Sequence, residues 1–242
     1  MLDISRAGDV TVVTMNHGKV SALDLELCEA ITSTFRDFTT GAVVLTGTGK
    51  VFSAGVDLWR VLDGGPPYVR AFLPALVSAF EAVFTCPVPV VAAVNGHAIA
   101  GGCVLAAACD HRFMTTAPAG IGVPELLVGV PFPSPALEIV EYAAGPQAAR
   151  RAVLTGELYQ PDKALAIGLV DELVDPEALV AQAISHATHL LSSVPADTFR
   201  LTKREWTSRV TRTRDLNEVT RLWETRATDG WMREYLTRTV RR

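Results

Sequence analysis

The sequence contains few of the residues that build metal or disulfide scaffolds. Among 242 residues there are four cysteines, Cys28, Cys86, Cys103 and Cys109, and none forms a CxxC pair. Each has apolar neighbours, so buried reduced thiols are expected rather than a disulfide framework. The five histidines are His17, His97, His111, His186 and His189. They have no partners at ligand spacing, and His186 and His189 fall on a polar helix face, so no metal site is expected. Neither GxGxxG nor GxxxxGK[ST] occurs, which argues against a dinucleotide or nucleoside triphosphate site. No run of about 18 uninterrupted apolar residues is present, so no membrane span is expected. The N-terminus has no basic segment leading into an apolar core and a cleavage site, and a cytoplasmic location is the expectation. Net charge is only −4, so non-specific nucleic-acid binding is not indicated.

The residues that are present describe an ordinary globular chain, 49% hydrophobic and 20% charged, of a length suited to one large domain or one domain with a small appendage. Mean hydropathy is +0.25, and this apolar excess is consistent with a buried oligomer interface. Basic residues gather late, with 12 of the 22 between Arg200 and Arg242. That stretch reads either as a solvated helical tail or as counter-charge for phosphates.

Strand and helix patterns alternate through the first 175 residues or so. Residues 9–15 alternate as a strand, 22–38 carry helical spacing with Ser21 as a candidate cap, and 42–47 are a short apolar strand. A helix opens near Asp57, and another covers 68–85. Residues 88–96 read as a buried strand, 101–109 as a helix and 111–116 as a strand. Helices are expected at 134–144, 146–155 and 161–166, a short strand at 169–174, and helices from 176 onward. Such alternation implies an α/β core with much parallel pairing.

Two glycine-bearing loops follow buried strands and open helices: Val51–Leu58 and Asn95–Cys103. In the first, Gly55 permits a sharp bend that leaves the Val56 amide near a helix start. In the second, Gly101 and Gly102 leave backbone N–H groups unobstructed. Each loop alone also reads as an ordinary strand-to-helix turn, with Asp57 as a cap or with glycine serving close packing. Together, two converging amides would form an oxyanion hole able to stabilise an enolate.

The segments VFSAGVDL (51–58) and VNGHAIAGGCVLAAACDHR (94–112), with Val123-Pro124-Glu125-Leu126 and the later GPQAAR (145–150) and Ala164–Val174, resemble the crotonase (enoyl-CoA hydratase/isomerase) superfamily, most closely its Δ3,Δ2-enoyl-CoA isomerases. The resemblance covers essentially the whole chain. It implies a spiral of ββα units over about 1–194, holding acyl-CoA, and a helical trimerisation region over about 195–242. It also implies an acyl-CoA thioester substrate, with coenzyme A part of that substrate and no permanently bound cofactor, and a homotrimer or a hexamer built as a dimer of trimers. Carried onto this sequence, the amides of Val56 and Gly101 bind the thioester oxygen and Glu125 is catalytic. Lys19, Val20, Ala22, Ala54, Asp57 and Leu58 line the CoA path.

Hydratases of this superfamily use two glutamates. Glu125 matches one, but the other position holds Val104, which can neither accept nor donate a hydrogen bond. Moving a double bond from the 3,4 to the 2,3 position asks for a single base, whereas hydration asks for an oriented water as well. The expected activity is therefore isomerisation. The alternatives are a hydratase with an unorthodox second group, for which Glu138 or Glu141 are candidates, and a non-catalytic acyl-CoA binder. Apolar flanks should raise the pKa of Glu125. His97 reads as structural and Asp57 as a cap. Trp223, Trp231 and Tyr235 are candidates for a lid, an interface or plain core, and the segments 62–68 and 131–133 for the walls of the acyl pocket.

Overall fold

In a computed structural model, which describes residues 1–208, 210 and 215–239, the chain winds through two sheets at once. The first has six strands in the order β1 (Leu2–Ala7), β2 (Val10–Met15), β3 (Ala42–Gly47), β5 (Val90–Val94), β7 (His111–Thr115) and β10 (Glu172–Val174). The second has four, β4 (Val51–Ser53), β6 (His97–Ile99), β8 (Ile121–Gly122) and β9 (Leu158–Tyr159). Only β1–β2 and β8–β9 pair antiparallel. Strands β3, β5 and β7 are neighbours in one sheet, while β4, β6 and β8 are neighbours in the other. Each pair is followed by a helix: α2 (Leu58–Phe84), α3 (Gly101–Ala107) and α4 (Glu125–Val128). Three successive ββα turns thus stack in register, the spiral expected from the sequence.

The apolar runs in β3 and β5 follow from burial on both faces. Val43, Leu45, Val90 and Ala92 face the main core, with α1 (Leu25–Arg36), α2 and α3. Val44, Val91, Ala93 and Phe113 face the other way, onto Leu179, Ala183 and Ala187 of α8 (Leu179–Ser193). All four cysteines are buried and free.

Several local expectations need correction. Helix α1 begins at Leu25, and its cap is Asp24, whose Oδ1 accepts from the Leu27 amide at 2.9 Å. Ser21 instead lies in the left-handed region (φ 46) and donates to Met15 O. The two helices expected near 57 and over 68–85 are present as two stretches of α2 that meet at a kink within residues 62–68. Helix α2 runs through them with a break at Gly65 (φ 56, ψ −154), and Pro66 and Pro67 restart it. This helix is also long and apolar enough to cross a membrane by length and composition, but it is broken and mostly buried inside the molecule. β1 had no counterpart in the sequence reading, because Ile4 and its neighbours are largely exposed.

Past α8, helices α9 (Ala196–Thr207), α10 (Asn217–Thr228) and α11 (Trp231–Thr239) return to the core. Lys203 of α9 reaches Asp110 at 2.6 Å. Helix α10 lies along α2, where Glu224 pairs with Arg70 at 2.6 Å, and α11 rests on α4.

Candidate active site

Three segments meet around one cavity. The first is the turn after β4. Ser53 Oγ donates to Ser21 O at 2.7 Å and accepts from the Gly55 amide at 3.1 Å. The Leu23 amide donates to Gly55 O at 2.7 Å, and the Asp57 amide to Leu23 O at 2.9 Å. This is a one-residue parallel bridge between Leu23 and Val56. Its geometry turns the N–H and C=O of Val56 away from Leu23. Asp57 then caps α2, its Oδ1 accepting from the Arg60 amide at 3.0 Å.

The second segment joins β6 to α3. The Ala100 amide donates to Gly122 O at 2.8 Å, and Ala100 O accepts from the Val104 amide at 3.1 Å. Because a trans peptide holds its N–H opposite its C=O, the Gly101 N–H points out of the helix start, where no intrahelical acceptor exists. The loops are pressed together. A β-carbon at Gly55 (φ 78) would lie 2.4 Å from Ile99 O and 3.2 Å from the Gly101 nitrogen, and one at Gly102 would lie 2.4 Å from Ser53 O. Only glycine fits at either point. His97 is structural, its Nδ1 accepting from the Gly120 amide at 3.0 Å.

The third segment brings Glu125, at the start of α4, into the wall. Its carboxyl is buried, Oε2 has no hydrogen-bond partner, and burial pushes its pKa up to about 8. A carboxyl this poorly solvated holds its proton near neutrality and gives up or takes one at little cost.

The cavity is about 270 Å³ and is lined by Val20, Ala22, Ala54, Val56, Asp57, Leu58 and Glu125 among the residues singled out from sequence. Lys19 is exposed and outside it. Ala100, the residue before Gly101, is in the wall. Trp59, Ile99, Val128, Val130 and Leu236 also line it, and nothing in the spacing of these residues had singled them out. Trp223 and Tyr235 also line it, Trp223 as part of the main core and Tyr235 packed against that core. The Trp223 Nε1–H donates to Pro131 O at 3.0 Å. Trp231 lies outside the cavity, over Gly129, and is half exposed.

Other expectations for the wall do not hold. None of residues 62–68 or 131–133 lines the cavity, and neither Glu138 nor Glu141 does. Val104 is buried in α3 and is likewise absent from the wall. A larger groove of about 520 Å³ between α1 and α2 is open, and it is lined by Glu29, Arg36, Asp37 and small residues. It holds no buried acid or base. Among the described residues no group of three or more potential metal ligands occurs.

A chain with these ββα turns and this cavity belongs to the enoyl-CoA hydratase/isomerase family, whose sequence model matches residues 5–223. Its relatives carry both activities in their names. A Thermus thermophilus protein provisionally named enoyl-CoA hydratase is 36% identical over 204 residues, covering 81% of this chain and 79% of that one. Mouse mitochondrial enoyl-CoA delta isomerase 1 is 31% identical over 200 residues, covering 80% and 69%. The crystal structure of human mitochondrial delta3-delta2-enoyl-CoA isomerase superimposes with a TM-score of 0.87 at 26% identity, covering 98% of this chain and 95% of that one.

Proposed function

We propose that this enzyme moves the double bond of a 3-enoyl-CoA to the 2,3 position. The observation that carries this reading is that, among the described residues, Glu125 is the buried carboxylate in a mostly apolar wall whose other acid, Asp57, caps α2, with Val104 where hydratases place a second glutamate. The ionised carboxylate removes a proton from C2. The electron pair moves onto the thioester oxygen, which receives hydrogen bonds from the Val56 and Gly101 amides. The same proton returns to C4, leaving the 2-enoyl product and a regenerated carboxylate. No water is consumed, so a largely apolar cavity suits the step.

The orientation of Val56 and Gly101, on two loops in contact beside Glu125, supports the oxyanion role. Val20, Ala22, Ala54, Asp57 and Leu58, which lie in the wall, are suited to the CoA arm. Lys19, exposed next to Val20 and outside the cavity, would meet its charged end. Coenzyme A enters as part of the substrate and the chain's own groups supply the chemistry. We further propose association into trimers or hexamers, supported by exposed apolar side chains at Leu126, Leu127, Leu154 and Leu158. Sedimentation equilibrium giving a monomer mass would exclude that assembly.

The second reading, hydration of a 2-enoyl-CoA, is favoured by the name of the Thermus relative. Incubation with 2-enoyl- and 3-enoyl-CoA, followed by mass spectrometry and chromatography, separates the two. Isomerisation leaves the mass unchanged and hydration adds one water. Glu125→Gln should lower turnover of the 3-enoyl-CoA by about 10²-fold or more. Unchanged turnover would remove Glu125 from the mechanism.

A further inference from the structure

Among the described residues, two non-glycine residues have positive φ: Ser21 (φ 46) and Ala100 (φ 52). Both sit beside the cavity that holds Glu125. Ser21 lies between Val20 and Ala22, which line it, and Ala100 lines it directly. Strain of this kind persists only where the surroundings over-determine the backbone, and it gathers at sites whose geometry matters. Ser21 has local compensation, since its hydroxyl donates to Met15 O at 2.9 Å and its carbonyl accepts from Ser53 Oγ at 2.7 Å.

Ala100 has no side-chain compensation. Its ψ of −124° places it in a region that glycine enters freely and alanine does not. Two backbone bonds pin it, one to Gly122 O and one from the Val104 amide. A glycine here would satisfy both bonds without strain. The alanine methyl must therefore be explained by what it touches. A β-carbon on Gly55 would lie 2.8 Å from Ala100 Cβ, so the Gly55 α-carbon, one bond back, is within van der Waals range of that methyl. The methyl sits between the turn that carries Val56 and the turn that carries Gly101.

We propose that the Ala100 methyl is a positioning group, a spacer wedged between the two glycine turns that sets the separation and aim of the Val56 and Gly101 amides. The inference rests on the oxyanion reading above. It predicts a variant that is no less stable yet less active. In Ala100→Gly the relief of strain offsets the added freedom of the unfolded chain. The spacer is lost, and a donor displaced by a fraction of an ångström binds the developing oxyanion poorly.

The experiment uses the full-length enzyme and three variants, Ala100→Gly, Ala100→Ser and Glu125→Gln. Three readouts are taken: Tm, kcat and KM for a 3-enoyl-CoA, and the absorption of a bound chromophoric thioester, a dimethylaminocinnamoyl-CoA, which moves to the red as its carbonyl is polarised. For Ala100→Gly we expect an unchanged or higher Tm, kcat lower by about 10-fold or more, KM within about 3-fold of the parent, and a smaller red shift. Ala100→Ser, which keeps a β-carbon, should recover most of kcat and of the shift. Glu125→Gln should lose turnover and keep the shift. Parental kcat and red shift in Ala100→Gly would overturn the spacer role alone. A parent enzyme that binds the chromophore with no red shift would overturn the oxyanion reading, and the spacer role with it.

Discussion

Glu125 shows how one side chain ties function to stability through pH. In the unfolded chain its carboxyl titrates at the ordinary glutamate value of 4.5, and in the fold at about 8. Between those values the native state binds more protons than the unfolded state, so stability falls as pH rises through that window. Below about 4.5 the penalty is absent, and above about 8 it is complete. Replacing the acid with a neutral isostere removes it. We therefore expect Glu125→Gln to melt at the parental temperature near pH 4 and about 10 °C or more higher at pH 8, a gain of about 4 kcal/mol, readable by scanning calorimetry. For the parent, kcat/KM should climb with pH and level off above about 8, because the base acts only when ionised. A profile already flat from pH 6 would mean that the free enzyme holds Glu125 ionised.

The same residue shows what was legible in sequence. Pro124-Glu125 among apolar neighbours was enough to expect a raised pKa, since desolvation follows from composition. Ala100 was not legible as strained, because φ and ψ are settled by two hydrogen bonds, to Gly122 and from Val104, whose partners lie in other turns of the spiral. Asp24 was missed as a cap for a similar reason. Although burial opposes it, hydrogen bonds from His17, the Leu27 amide and Arg60 hold its carboxyl below the usual range, and two of those partners depend on the fold or on turn geometry.

At the level of elements, the regular pieces were readable where burial is two-sided or strictly periodic, as in β3, β5, α1 and α3. The short strands β8 and β9, two residues each, carry no periodicity to read. Helix α2 was read as two helices because Gly64-Gly65-Pro66-Pro67 interrupts helical geometry, and the kink at Gly65 lies there. The late helices' part in the cavity wall was legible only as aromatic residues without an address. Trp223 is 2% exposed and spends its indole N–H on Pro131 O. Trp223→Phe keeps most of the buried apolar area and leaves that carbonyl without its donor. The expected loss is about 1–3 kcal/mol, seen as a Tm lower by about 2–10 °C, together with a higher KM as the wall loosens. An unchanged Tm would show that water replaces the bond.

At the scale of the whole molecule, one architecture serves two requirements. The stacked ββα turns hold the backbone amides rigidly, because each glycine turn is clamped by the next. The late helices, less regular in sequence, fold back over the place where chemistry is expected. Trp223, Tyr235 and Leu236, from α10 and α11, line the same cavity as Glu125, so its wall is finished only once those two helices have docked. A substitution that loosens either late helix, distant from the carboxylate in sequence, is then felt in that acid's own surroundings.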